Sequence, residues 1–244
     1  MKEHNSGKTT AILACDVLEL ETRRILQEAG WPCGEVVFKE MGRHDYPELL
    51  NRELQEAVNQ LENRGHDRIV FVYGLCSNSI VNLRAHDAEM VLPRAHDCIT
   101  LLLGSKERYA EVHKQEPGTY WFSPGWCRGG RVPGPDHFER LEAGYREKFD
   151  EEEVEFLMEM EREKYRKYSC AAFTDLGDGP VEEMKEKTRC SAKCLGMRYE
   201  YFAGNDGLLK RLLLGPWDEE NFLVVPPGKR AQFSADKRII RCVK

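Results

Sequence analysis

The chain has 244 residues, 41% of them hydrophobic, with a net charge of -6 and a sequence pI near 5.8. That is enough apolar material for one large α/β core or two small ones. An acidic balance argues against an extended nucleic-acid surface, and the absence of any run of 18 apolar residues argues against a membrane span. Met1 to Thr10 is polar and lacks the apolar centre of a signal peptide, so a cytoplasmic protein is expected.

In chain order, Thr10 to Ala14 reads as a first strand. Val17 to Ala29 follows as a helix, with Asp16 placed to cap it and Gly30 placed to end it. Glu35 to Phe38 is a second strand, Pro47 to Arg64 a helix, Arg68 to Tyr73 a third strand and Met90 to Leu92 a fourth. Cys98 to Leu103 begins a buried helix, Lys106 to Gln115 continues or succeeds it, and Gly118 to Phe122 is a fifth strand. After Trp126 the close-set glycines and prolines of residues 129–135 predict a loop. From His137 to Tyr168 a charged helical segment carries Phe138, Leu141, Tyr145, Phe149, Val154, Leu157 and Met158 as a core-facing stripe. Ala171 to Thr174, Tyr199 to Phe202 and Phe222 to Val225 read as strands, separated by helices at Val181 to Lys193 and Leu208 to Leu214. This alternation predicts an α/β fold of two Rossmann-like half-domains with parallel sheets, joined by long charged helices with a cleft between them. The boundaries expected are 1–136, a helical connector at 137–169, and 170–244.

Arg84 to Asp87 and Arg94 to Asp97 both read Arg-Ala-His-Asp. The first copy precedes a strand and reads as a solvated turn. The second runs on into Cys98 and places His96, Asp97 and Cys98 where a strand gives way to a helix. In an open parallel sheet, ligands bind beyond the carboxyl ends of the strands. Cys15 and Cys76 follow the first and third strands, so these thiols are expected to converge there with Cys98 and His96. Cys127 lies past the fifth strand and its membership stays open.

Nine cysteines in a cytosolic chain read as thiols or metal ligands rather than disulfides. Three thiolates and an imidazole would suit zinc, while three or four thiolates could hold an iron-sulfur cluster. Cys15, Cys76, His96 and Cys98 are the candidate ligands. His96 is also a candidate acid-base group, and Asp97 either a helix cap or the residue that orients His96. Asn78 and Asn205 are candidate donors to a bound cofactor, with Asn205 alternatively a turn residue in Gly204-Asn-Asp-Gly207. Cys33 and Cys242 read as small buried hydrophobes, and Cys190 with Cys194 as an incidental surface pair. Ser6-Gly7-Lys8-Thr9-Thr10 imitates the end of a phosphate-binding loop but lacks its first glycine and its preceding strand.

Val91 to Tyr109, with Tyr73-Gly-Leu-Cys76, Pro117-Gly-Thr-Tyr-Trp, Gly204-Asn-Asp-Gly and Leu214-Gly-Pro-Trp-Asp, resembles a domain-of-unknown-function family of bacteria and methanogenic archaea. The resemblance implies a setting in one-carbon metabolism beside corrinoid-dependent methyltransferases, because family members are often encoded near them. A corrinoid protein or methyltransferase as partner follows from the resemblance alone. Three functions are thus expected as alternatives: a metal-dependent enzyme or accessory factor, a non-catalytic iron-sulfur or corrinoid carrier, and a metal-free protein with structural cysteines. No nucleic-acid or membrane partner is expected.

Overall fold

A computed structural model describes residues 9–31, 34–130 and 132–244. In chain order the elements are β1 (Thr10–Cys15), α1 (Glu19–Glu28), β2 (Glu35–Lys39), α2 (Pro47–Asn63), β3 (Arg68–Val72), β4 (Glu89–Pro93), α3 (Cys98–Leu103), α4 (Lys106–Gln115), β5 (Thr119–Phe122) and α5 (Pro124–Arg128). They continue with α6 (Pro135–Arg146), α7 (Glu151–Glu163), β6 (Cys170–Asp175), α8 (Val181–Leu195), β7 (Arg198–Ala203), α9 (Gly207–Leu214), β8 (Phe222–Val225), β9 (Arg230–Phe233) and β10 (Ile240–Val243). The α/β class with parallel sheets agrees with the sequence reading.

The chain divides into two compact units, Met1–Tyr109 with Gly204–Lys244, and Ala110–Ala203. The first unit holds a five-stranded sheet of order β2-β1-β3-β4-β8. Its first four strands are parallel and β8 runs antiparallel to β4. Ala11, Ile12, Leu13 and Ala14 of β1 are fully buried, as an interior parallel strand covered on both faces requires. On one face Ala11, Leu13, Ile69, Phe71, Met90 and Leu92 pack against Leu50, Leu54, Ala57, Val58 and Leu61 of α2. Those α2 positions recur at three- and four-residue spacing, and each fully buried Leu or Val contributes about 1.5–3 kcal/mol. α9 packs on β3 and β4 and also touches α1 and α3.

The second unit is a three-stranded parallel sheet of order β5-β6-β7. α8 packs on β6 and β7, and α6 packs on α7. Asp150 and Glu153 form a reciprocal capping box at the start of α7.

Several expectations are corrected. The division falls after Tyr109 and before Gly204, away from the boundaries read at 136 and 170. The physical reason is strand pairing: β5 pairs with β6, and β8 returns to β4. The helices of 137–169 therefore belong inside the second unit and do not connect two halves. Residues 16–18 form a 3-10 turn, and α1 starts after Leu18 with no side-chain cap, so Asp16 is not its cap. Gly30 does end it, with φ 57°. Phe149 is exposed rather than core-facing, whereas Phe138, Val154 and Met158 are buried as read. The short helix α5 before the expected glycine- and proline-rich loop was not foreseen, nor was the β9–β10 hairpin. Cys33 and residues 1–8 lie outside the described residues.

Candidate functional site

The strand order of the first unit reverses between β1 and β3, the place where doubly wound sheets open a ligand crevice beyond their carboxyl ends. Cys15 closes β1 on one side of this point. The register Leu13 to Phe71 and Ala14 to Val72 carries on to set Cys15 beside Tyr73, just past the end of β3. Tyr73 is 2% exposed, and its hydroxyl has no hydrogen-bond partner among the described residues.

Past the ends of β3 and β4 the two backbones stay zipped together. The Leu75 N–H donates to the Ala95 carbonyl at 2.8 Å, and the Cys76 N–H donates to the His96 carbonyl at 3.0 Å. This contact brings Cys76 close to the start of α3, where Cys98 is the first helical residue. Gly74 makes the approach possible, because a Cβ there would meet the Cα and N of Asp97 at 2.5 Å.

Cys76, Ser77 and Asn78 then occupy left-handed backbone, at φ 46°, 57° and 70°. For residues other than glycine this conformation costs roughly 1–2 kcal/mol each. Asn51 of α2 holds the turn, donating from Nδ2 to the carbonyls of Ser79 (2.7 Å) and Val81 (2.8 Å). The Ser79 hydroxyl donates to the Cys76 carbonyl at 2.5 Å. Sustained strain of this kind concentrates at functional sites.

Cys15, Cys76 and Cys98 are all free and partly buried. Burial pushes the Cys15 thiol up to about 12, with Asp16 adding to the shift and the Val17 backbone opposing it. Burial raises Cys76 as well, and Cys15 and Asp97 raise it further. Cys98 is raised first by burial, then by Asp97, Cys76 and Cys15. Cys76 therefore feels Cys15, and Cys98 feels both. Tyr73 is raised by burial, by Cys15 and Cys76, and by Asp16 and Glu53.

Asp97 is the N-cap of α3. Its Oδ1 accepts from the backbone N–H of Ile99 (3.0 Å) and Thr100 (3.2 Å), and its Oδ2 accepts from the Tyr109 hydroxyl at 2.7 Å. Burial raises its carboxyl above the usual range, with the Tyr109 and backbone donors opposing. Of the alternatives read from sequence, the cap is the one seen. His96 is exposed, its ring stacked on Tyr109 at 6.1 Å.

Not every expected residue is brought here. Asn78 is exposed in the left-handed turn. Asn205 lies at the other end of α3, where its N–H donates to the Leu102 carbonyl (2.9 Å) and its Oδ1 accepts from the Gly207 N–H (2.9 Å). It makes the turn read as its alternative role. Cys127 belongs to the second unit, packed in its core with Phe122 and Phe173, its thiol pushed up to about 11 by burial. Cys190 and Cys194 are exposed on α8, as an incidental pair would be. Cys242 is exposed on β10, contrary to the buried role read for it. Of the two Arg-Ala-His-Asp copies, the first is a surface turn with His86 and Asp87 exposed. In the second, Arg94 is buried and its guanidinium donates to the carbonyls of Glu219 (2.9 Å), Arg238 (2.9 Å) and Ile240.

Tyr73, Gly74, Asn51 and Tyr109 were missed from sequence. One signal was available for Tyr73, since it lies four residues after Ile69 on the alternating face that Phe71 also occupies. Among the described residues, no three His, Cys, Asp or Glu side chains stand as a preformed metal ligand set. No helix among them is long and apolar enough to cross a membrane.

No curated protein and no solved structure matches the chain. The family profile that does match takes in Cys76, His96, Asp97 and Cys98 and leaves Cys15 outside it. Over residues 38–213 the chain matches, and so belongs to, the family described as Protein of unknown function (DUF1638).

Proposed function

We propose that Cys15, Cys76 and Cys98 together hold a thiophilic metal, zinc or the iron of an iron-sulfur cluster, and that the protein serves corrinoid-linked one-carbon metabolism. The observation that supports the metal reading is that three thiols from three chain segments lie at or past the carboxyl ends of β1, β3 and β4, where Cys15 adds to the cost of ionising Cys76 and both add to that of Cys98. A divalent cation reverses the sign of that interaction: the proximity that opposes three thiolates then favours them, and binding releases their protons. The donor set suits the group, being soft sulfur from three free cysteines.

Bound there, zinc would supply Lewis acidity and a stabilised thiolate nucleophile, whereas a cluster would supply electron transfer. The chain's own contribution is positional. Asp97 fixes the start of α3 and thereby Cys98, Tyr109 fixes Asp97, and the left-handed turn fixes Cys76. His96, exposed beside them, is the group open to exchange a proton with solvent or substrate. The corrinoid setting, and a corrinoid protein or methyltransferase as partner, rest on the sequence resemblance and not on the site.

The experiment is elemental analysis and an absorbance spectrum on protein purified without oxygen, beside Cys98→Ala and Cys76→Ala. About one equivalent of colourless zinc, or several of iron with a band at roughly 400 nm, is expected and should be lost in both variants. A wild-type protein that is metal-free and takes up neither zinc nor cobalt on titration would overturn the reading.

A further inference from the structure

Tyr73 carries a hydroxyl at a place in the core that asks for an apolar ring. It follows Ile69 and Phe71 on one face of the chain, in the buried cluster that includes Leu50, Leu54 and Phe71. Phe71 fills its own position there with a ring alone. The Tyr73 side chain is nearly as enclosed, at 2% exposure, and its hydroxyl has no hydrogen-bond partner among the described residues. A buried hydroxyl left unpaired costs stability, so its presence calls for an explanation.

The neighbours of that hydroxyl narrow the explanation. The register of β1 on β3 carries on to set Cys15 beside Tyr73. Ala11, Leu13 and Cys15 alternate onto the face that Phe71 and Tyr73 also occupy, so the two side chains leave the sheet on the same side. Cys76 packs against this cluster as well. After burial, Cys15 and then Cys76 are the groups that most raise the Tyr73 phenol, ahead of Asp16 and Glu53. A phenol is a donor at neutral pH, and the sulfur of a protonated thiol is only a weak acceptor for it. An ionised sulfur is a far better one.

We propose that the Tyr73 hydroxyl donates a hydrogen bond to a metal-bound thiolate of the Cys15–Cys76 pair, a positioning role that rests on the metal reading above. The acceptor that Tyr73 lacks is then created by ionisation of the thiols as the metal is held. The bond draws charge from the sulfur, which steadies the thiolate and fixes its orientation. One substitution should therefore act in opposite directions on the two forms of the protein.

The test compares Tyr73→Phe with the wild type, first after chelator treatment and then on titration with cobalt(II) followed by zinc competition. Without metal the variant should unfold at the same Tm as the wild type or higher, because only an unpaired hydroxyl is lost. With metal, its affinity should fall about 10- to 100-fold. The thiolate-to-cobalt charge-transfer band should also move to lower energy, since a sulfur that accepts no hydrogen bond is the stronger donor. A merely structural tyrosine would lower the metal-free Tm and leave the band in place, and either result overturns the proposal. A wild type that binds cobalt, with Tyr73→Phe matching it in affinity and band, overturns this inference alone and leaves the metal reading standing. A wild type that takes up neither cobalt nor zinc overturns both.

Discussion

The backbone of Asp97 lies so close to Gly74 that a methyl group on Gly74 would stand 2.5 Å from the Asp97 Cα and N. This contact joins the segment after β3 to the segment after β4, and it is what sets Cys76 and Cys98 within electrostatic reach of each other.

Gly74→Ala is therefore expected to disrupt the site. Overpacking against backbone costs about 1–3 kcal/mol or more, because no side chain can swing aside. Urea unfolding should show that loss, and metal uptake should fall with it. A variant with wild-type stability and uptake would mean that the two segments separate easily.

The Asp97–Tyr109 bond gives a second prediction. Asp97→Ala removes a helix cap as well as the acceptor of the Tyr109 hydroxyl, and should cost about 1–3 kcal/mol. Tyr109→Phe should cost about 1 kcal/mol. In the double variant the costs should fall short of their sum, since the phenylalanine has no bond left to lose. Chemical denaturation of the four proteins measures the coupling. Strict additivity would show that the 2.7 Å contact contributes nothing.

The raised thiols make a prediction for the metal-free protein. Below the ordinary thiol pKa, about 8.5, both folded and unfolded chains hold these protons and they contribute no pH dependence. Above it the unfolded chain loses them while Cys15, at about 12, keeps its own when folded. The unfolded state then binds fewer protons than the native one, so stability falls as pH rises through this window. Chelator-treated wild type should lose stability between pH 8 and 10, roughly, and Cys15→Ser should lose less over the same range. Parallel pH profiles for the two would show that Cys15 ionises alike in both states.

Most strands and helices were legible because their signals are local. β1 is a short apolar run, α2 carries its core residues at helical spacing, and Asp97 and Gly104 bracket α3 with a cap and a left-handed stop. That the segments carrying Cys15, Cys76 and Cys98 leave one edge of the sheet was legible too, since it needs only that β1, β3 and β4 be parallel. The partition into units was not. It depends on which strand β5 pairs with, and Thr119–Phe122 has nothing in its own sequence to choose β6 over β4. Nor does the spelling Arg-Ala-His-Asp reveal that Arg94 is enclosed by three carbonyls while Arg84 is at the surface, because the carbonyls come from residues more than a hundred positions away.

The second unit interrupts the first, and this sets an order of assembly on the ribosome. Residues 110–203 are complete in themselves once β7 has emerged, but the sheet that carries the cysteines still lacks its edge strand β8, and α3 its neighbour α9. Because chains fold as they are synthesised from the N-terminus, the thiols at the β1/β3 reversal and the residues that position them, from Asn51 to Tyr109, are all made before the second unit begins, and the first unit then waits for α9 and its edge strand.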